Sequence, residues 1–487
     1  LRRRISIAFF CISLAFAGVL GANPIAIAQA PSEGGLTSEG IEFLGFVPFE
    51  QSSSTGLTIH GDRMYLTSWK NISIYDISDP KSPQQLGTLP IGFMFENENV
   101  SVSPNDSFLL FSESLPDDTL HVYDIEDPAN ITEIAALDGA GDHTTSCILK
   151  CQYAYGSDGH VTDLRDPGNP KLMDIDWHEA IGMQGGGHDV TEVRNGFIIV
   201  SPLDDTPLYV DVRDPMKPKV LARGNGPIVR DERGYLWHSG EWPNHGTDRW
   251  LLMQGEENAQ TRCSEKIGPF TTFDTRGWRT SKTFKMVDDY KVTNGVYVDG
   301  NPPANALGCS AHWFEEHPSF DDGGLVAGAF YEHGTRFTQV NHSTGKIKEV
   351  GYFLPYVGSS SAAYWASPRI TYTADYGNGL YILRWARPLP GPLAALRVSN
   401  PTPARGREIT LTGLLRSCRG LKGTELQLKR KVGKEFKLIR TKTLDDRCRT
   451  KFKVGTDFDE ATFKAVWPKQ DKEHGRGNSD PQTIKTH

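Results

Sequence analysis

The feature that most constrains this chain is a short unit repeated about every 40 residues, a period that marks repeat architectures. It reads Ile74-Tyr-Asp-Ile-Ser-Asp-Pro80, then Val122-Tyr-Asp-Ile-Glu-Asp-Pro128, Val161-Thr-Asp-Leu-Arg-Asp-Pro167 and Tyr209-Val-Asp-Val-Arg-Asp-Pro215. Alternating apolar residues mark a strand. The Asp-Pro step ends it, because the carboxylate accepts nearby backbone N–H groups and the pyrrolidine ring presets the turn. A short strand follows, as in Gln85–Pro90, and a hairpin precedes, as from Gly196 to Ser201. About four strands per unit is the content of one propeller blade.

Fainter copies continue at Phe273-Asp-Thr-Arg-Gly277, after a long insertion, and at Phe337-Thr-Gln-Val-Asn341 with Lys348–Tyr352. The last repeat, Tyr364 to Trp385, supplies three strands and stops short of a fourth. Ile41-Glu-Phe-Leu-Gly-Phe-Val-Pro48 resembles the missing strand, and pairing it with Gly379–Leu383 would close the ring and remove exposed edges. The expected fold is all-β, a β-propeller over residues 41–387 closed by an N-terminal strand, seven-bladed with six or eight blades as fallbacks, with a small β-sandwich after it.

These units resemble the LVIVD-repeat family of propellers found in secreted bacterial proteins. The resemblance is good over residues 57–225. It continues less regularly through Cys309-Ser-Ala-His-Trp-Phe314, Gly334-Thr-Arg-Phe337 and Thr373-Ala-Asp-Tyr-Gly377, and stops before 390. It implies the fold; the family has no single activity to carry over.

Residues 388–392, Pro-Leu-Pro-Gly-Pro, read as a stiff linker. Glu408–Leu415, Glu425–Lys431, Phe436–Arg440 and Thr462–Trp467 then alternate as strands, which predicts an immunoglobulin-like sandwich over 393–469. Residues 470–487 read as a partly disordered tail. At the other end, Arg2, Arg3 and Arg4, the apolar run Ile5–Leu20 and Ala28-Gln-Ala30 spell a cleavable signal peptide over 1–30, followed by a flexible segment over 31–40. The expectation is a secreted or cell-surface protein with no transmembrane segment after cleavage.

Beyond Cys11, inside the signal, six cysteines allow 15 pairings. Domain logic favours Cys147–Cys151 across a tight turn, Cys418–Cys448 in the sandwich and Cys263–Cys309 by remainder; a cluster of soft metal ligands is the rival reading. The formal charge of −8 hides an asymmetry, with roughly 22 Lys and Arg against about 11 Asp and Glu from residue 391 onward. The acidic main domain argues against nucleic acid. The basic C-terminal domain suits a cell wall or another anionic surface, or is simply a solvated face.

Familiar catalytic signatures are absent: Gly185-Gly-Gly-His188 is no phosphate loop, His178-Glu179 lacks the second His of a zincin helix, and Gly308-Cys-Ser-Ala-His312 fails the nucleophile elbow. One constellation remains. Aligning the blades puts His143, His188, His238 and His312 at the start of four successive innermost strands, facing the axis, with Glu98 at that place one blade earlier. His245 competes with His238 for its place. Imidazoles are common ligands of Zn, Cu and Fe, so these four are candidates to hold one divalent transition metal, with Glu98 orienting a ring from behind. The plainer reading is that they fill the channel and bond neighbouring backbone. A second set, Glu113, Asp204, Glu256, Glu332 and Asp375, ends the second strands and reads as a cation-attracting ring or as turn-capping acids. Two functions follow: a binding scaffold for a protein or glycan, or a metal-dependent oxidoreductase using the four-His axis.

Overall fold

The computed structural model describes residues 34–48, 54–91, 98–113, 118–228, 235–257, 268–292, 309–416, 421–468 and 474–487. The described residues are all-β with three short α-helices, and no described helix is long and apolar enough to cross a membrane. The chain divides into two compact units. The first comprises Leu1–Glu315, Ala327–Arg336 and Gly351–Trp385; the second comprises Glu316–Val326, Phe337–Val350 and Ala386–His487.

Along the chain, seven antiparallel four-stranded sets follow one another. The first is Ser54–His60, Arg63–Ser68, Asn71–Asp76 and Gln84–Pro90. The next five begin with Ser101–Val102, Thr145–Ile148, Gly187–Arg194, Tyr235–Glu241 and Phe314–Glu316. The seventh takes Ser360–Ser367, Ile370–Asp375 and Gly379–Trp385 from the end of the repeat region and Ile41–Pro48 from its start. The register runs from Ile41 opposite Trp385 to Pro48 opposite Gly379, with one bulge after Phe43. The expected pairing of the N-terminal strand is therefore present.

The aspartates of the repeat explain why each third strand stops where it does. Asp76, Asp124, Asp163 and Asp211 each accept the backbone N–H two residues on, at 2.8 to 3.2 Å. In three copies the Asp before the proline repeats the device, Asp79 to Lys81, Asp127 to Ala129 and Asp214 to Met216. These are Asx turns, which hold the backbone while the proline or the following residue sets its direction.

The core of the first unit lies between consecutive sheets. Tyr65, Ile72 and Ile74 of the first pack on Leu109, Phe111 and Tyr123 of the second. Phe108, Leu110 and Val122 meet Ala154 and Leu164 of the third, whose Tyr155 and Val161 meet Val190, Ile198 and Val200 of the fourth. Tyr209 of the fourth meets Trp237, Leu251 and Phe273 of the fifth, and Phe270 lies edge-on to Phe314 of the sixth. Ala362 and Ala374 of the seventh cover Trp313, while Tyr372 and Leu380 pack against Leu57, Met64 and Leu66 of the first. The succession of packed faces thus returns to its start.

Two features depart from expectation. Gly35–Thr37, expected to be flexible, is a strand paired with the end of Ile347–Pro355, where Gly35 is needed because a Cβ would stand 2.3 Å from the Leu354 carbonyl oxygen. The fourth and fifth sheets also join into one of eight strands, because Lys219–Gly224 runs parallel to Thr283–Tyr290.

In the second unit, Ala394–Val398, Glu408–Leu415 and Arg449–Gly455 form one sheet. Glu435–Thr443, Glu425–Val432, Glu460–Trp467 and two short C-terminal strands form the other. Leu411, Leu426, Leu428, Phe452, Phe463 and Trp467 fill the space between them. The tail is a correction: Gln482–Lys485 pairs with Glu460–Trp467, and Ile484 is fully buried in this core. Its polar surroundings masked a strand only four residues long.

Cys147 and Cys151 are bonded, with Cα atoms 4.4 Å apart around a turn in which Leu149, Lys150 and Cys151 all have positive φ. Cys309 and Cys448 are disulfide-bonded as well. Their expected partners Cys263 and Cys418 lie outside the described residues, as does the signal segment.

Candidate metal centre

In five sheets, the second to the sixth, residues at or just before the first strand come together at one place. His188 is the second residue of Gly187–Arg194, and the strand register skips it between Gly187 and Asp189. His238 is skipped in the same way between Trp237 and Ser239, and so is Ser361 between Ser360 and Ala362. A bulge leaves a residue out of the ladder and re-aims its side chain. His143 and His312 reach the same level from the residues just before Thr145–Ile148 and Phe314–Glu316.

The four imidazoles meet at a carboxylate. Their Nε2 atoms lie 3.8 Å (His143), 3.8 Å (His188), 3.4 Å (His238) and 3.2 Å (His312) from the nearest Glu98 oxygen. The His143 and His188 Nε2 atoms are 3.2 Å apart. Ring centroids of His188 and His238 are 3.7 Å apart, and those of His238 and His312 are 4.1 Å apart. Glu98, expected behind the imidazoles, sits in their midst. Glu98, His188 and His238 form a donor set whose ligand atoms all lie within 4.8 Å of one another. His143 and His312 flank it. His245 is exposed, in the turn Pro243–Gly246, and is no part of the cluster.

Hydrogen bonds settle how the rings face. His188 Nδ1 donates to the His238 carbonyl at 2.9 Å, and His312 Nδ1 donates to the Ser361 carbonyl at 2.6 Å. A carbonyl can only accept, so Nδ1 carries the proton in both rings. Each Nε2 is thereby turned toward Glu98, the arrangement by which backbone carbonyls orient metal-binding histidines.

Sequence reasoning missed two further partners of the carboxylate. Trp313 Nε1 donates to Glu98 Oε2 at 3.1 Å, and the Tyr376 hydroxyl donates to Oε1 at 3.3 Å. Tyr331, with φ of 42°, packs its ring 4.7 Å from that of His312. Tyr376 follows the second strand of the seventh sheet, inside the segment Thr373–Gly377 that carried the family resemblance, but nothing there marked its hydroxyl as a partner of Glu98.

Glu98, His188, His238 and His312 are all at least nine-tenths buried, whereas the His143 side chain is 26% exposed. Burial alone would raise the Glu98 carboxyl, but His312, His143 and His238 around it outweigh that and hold it well below the usual range. Burial, reinforced by His238 and His143, pushes His188 well below its ordinary value. Burial and the proximity of His312 push His238 down to about 3. At neutral pH the cluster therefore combines a charged carboxylate with at least two neutral imidazoles, the protonation state in which these groups act as ligands.

Of the second-strand acids, Asp375 caps a turn, its Oδ1 accepting from the Gly377 and Asn378 backbone N–H groups at 3.0 Å. Glu113 lies 3.6 Å from His121 Nε2. The Glu256 side chain lies outside the described ones.

No family model matches the chain, and no curated protein matches it. Solved structures do resemble it. A protein from Lactobacillus plantarum is 11% identical with a TM-score of 0.44, over 62% of this chain and 85% of its own. A protein of unknown function from Bacteroides thetaiotaomicron is 7% identical with a TM-score of 0.37, over 72% of this chain and 76% of its own. A structure from work on two prolyl endopeptidases is 9% identical with a TM-score of 0.37, over 77% of this chain and 56% of its own. Likenesses this distant assign no activity, and the chemistry of the chain is argued from its own residues.

Proposed function

We propose that this chain is an exported, seven-bladed β-propeller of the LVIVD type that serves as a binding scaffold and holds one divalent transition metal on its axis. Glu98, His188 and His238 would hold the ion, with His143 and His312 beside them. One observation carries the reading. The bare lone pair of His188 Nε2 faces both the Glu98 carboxylate and His143 Nε2, while its Nδ1 proton is committed to a carbonyl. A proton on His143 Nε2 can satisfy the His188 lone pair from that side, but the same lone pair and the Glu98 carboxylate repel one another, which a cation between them would relieve. Spacing is close to what an ion needs: donors surrounding one at about 2.0–2.2 Å in a tetrahedron stand about 3.3–3.6 Å apart, and Glu98 stands 3.4 Å from His238 Nε2 and 3.8 Å from His188 Nε2. Nitrogen-rich donor sets with one carboxylate suit Zn, Cu or Fe.

The test is metal content. Untagged protein, soaked separately with Zn(II), Cu(II) and Fe(II) and desalted, should retain close to one ion per chain by mass spectrometry. His188→Ala with His238→Ala should abolish retention. Equal metal in wild type and double variant would overturn the reading.

The partial exposure of His143 favours a second reading, a metal-dependent oxidoreductase. A bound ion would supply Lewis-acid or redox chemistry, and the His143 side is where solvent meets the cluster. Azide added to copper-loaded protein separates the two. A changed absorption spectrum means an open position, as catalysis needs, whereas no change means a closed structural pin.

A further inference from the structure

The second unit carries a different feature, independent of the metal. Its three-stranded sheet places Arg397 opposite Thr412 and Thr412 opposite Lys451. Two residues along the same strands, Ala395 stands opposite Leu414 and Leu414 opposite Arg449. Residues two apart share a face, and this face is the outer one. Between the rows, Gly413 points inward, where a Cβ would stand 2.5 Å from the Leu426 side chain. Lys442, Asp445 and Arg447 form the lip, and Lys442 Nζ donates to the Lys451 carbonyl at 2.8 Å. Together they bound an open groove of about 660 Å³.

Five cations line this groove against one carboxylate, and that carboxylate is spoken for. Asp445 Oδ1 accepts from the backbone N–H groups of Arg447 at 2.9 Å and Arg449 at 2.8 Å. The ion pairs described in this unit use other cations: Arg405 with Asp459, Lys453 with Glu408, and Lys485 with Glu460. Among the described residues, none of Arg397, Lys442, Arg447, Arg449 and Lys451 is paired with a carboxylate. A concave surface of one sign with no internal counter-charge concentrates anions.

We infer that this groove binds a linear anionic polysaccharide. Lys451 and Arg449 lie about 7 Å apart along the strand, and Arg397 lies about 10 Å across two strand spacings from Lys451, a two-dimensional grid of charge suited to a chain with repeated anionic groups. The groove is open, as a polymer requires. Among the described residues its lining has no aromatic side chain, so nucleobases have no stacking platform there. Thr412, Thr443 and Thr450 offer hydroxyls to sugar hydroxyls instead.

Dextran sulfate is the probe, with uncharged dextran as the control, against the full exported chain at low salt. Wild type should bind dextran sulfate and not dextran. Arg397→Gln, Arg449→Gln and Lys451→Gln together should weaken binding by about 30-fold and flatten its salt dependence. Lys431→Gln, Lys434→Gln and Lys437→Gln remove the same charge from the Glu425–Val432 and Glu435–Thr443 hairpin, outside the groove, and should weaken it less than about 3-fold. Unchanged circular dichroism melting certifies that both triples fold; if the groove triple misfolds, Arg397→Gln alone, exposed at a strand end, repeats the comparison. Equal loss in the two triples means a net-charge effect and overturns the groove. No binding to dextran sulfate, or tighter binding to single-stranded DNA of matched charge, overturns the polysaccharide.

Discussion

Asp375 should make the protein less stable as pH rises from 4 to 8, and Asp375→Asn should remove that dependence. The side chain is fully buried, with Oδ1 accepting from the Gly377 and Asn378 N–H groups and the Asn378 amide, and the Ser359 N–H also facing the carboxylate. Burial pushes its carboxyl up to about 7, although the backbone donors pull the other way. Between about 4 and 7 the native state therefore keeps a proton that the unfolded chain has lost. The contribution is fully present below about 4, falls as pH rises, and is gone above about 7. A shift of about three pH units at 1.36 kcal/mol each makes the whole effect about 4 kcal/mol, of which about 2 to 3 kcal/mol falls between pH 5 and 7.5. Asn keeps the Oδ1 acceptor and has no charge to bury. Urea unfolding of wild type and variant, followed by tryptophan fluorescence at pH 5 and 7.5, isolates the residue, because every other titration cancels in the difference. The stability of the variant relative to wild type should rise by about 2 to 3 kcal/mol over that interval. Parallel profiles would refute the argument, and so would a difference that changed in the other direction.

Two further outcomes test the fold. Removing residues 34–48 uncovers the edge of Gly379–Trp385 and the Phe353 and Tyr381 rings on which Phe43 packs; gel filtration should show association and the melting temperature should fall, while a monomer with unchanged melting would show that closure contributes nothing. Ile484→Ala should cost about 3 kcal/mol in the second unit, because that side chain is fully buried in the sandwich core; a loss below about 0.5 kcal/mol in denaturant titration, typical of a surface site, would return residues 482–485 to the status of a loose tail.

The strands were legible because the signal is local. Asp76 and Asp79 cap N–H groups two residues away, so the whole device lies within one repeat. The strand Ile41–Pro48 was legible for a different reason, as the one segment matching a strand that the last repeat lacked. The pairing of Lys219–Gly224 with Thr283–Tyr290 joins Arg223 to Thr283 across a long insertion, and no local pattern encodes it. Gln482–Lys485 was hidden because its only buried apolar residue is Ile484. The register of the four histidines could be read, since a repeat fixes which residue opens each first strand, but the placement of Glu98 could not. It depends on Trp313 and Tyr376, which belong to other sheets and hold its two oxygens.

The orientation of each imidazole is likewise supplied by the neighbouring sheet. His188 Nδ1 is held by the carbonyl of His238, one sheet on, and His312 Nδ1 by the carbonyl of Ser361, again one sheet on. The same register serves hydroxyl donors, with Thr144 bonded to the His188 carbonyl and Ser239 to the His312 carbonyl at 3.2 Å. The bulges at His188, His238 and Ser361 do two jobs at once: each takes a residue out of its own ladder and leaves its carbonyl free to serve the sheet before it. Ser361 shows why a sheet without histidine still belongs to the centre, since its backbone alone fixes the proton on His312. A repeat read singly can therefore single out a candidate ligand, and only the succession of sheets decides which nitrogen it presents to the cluster.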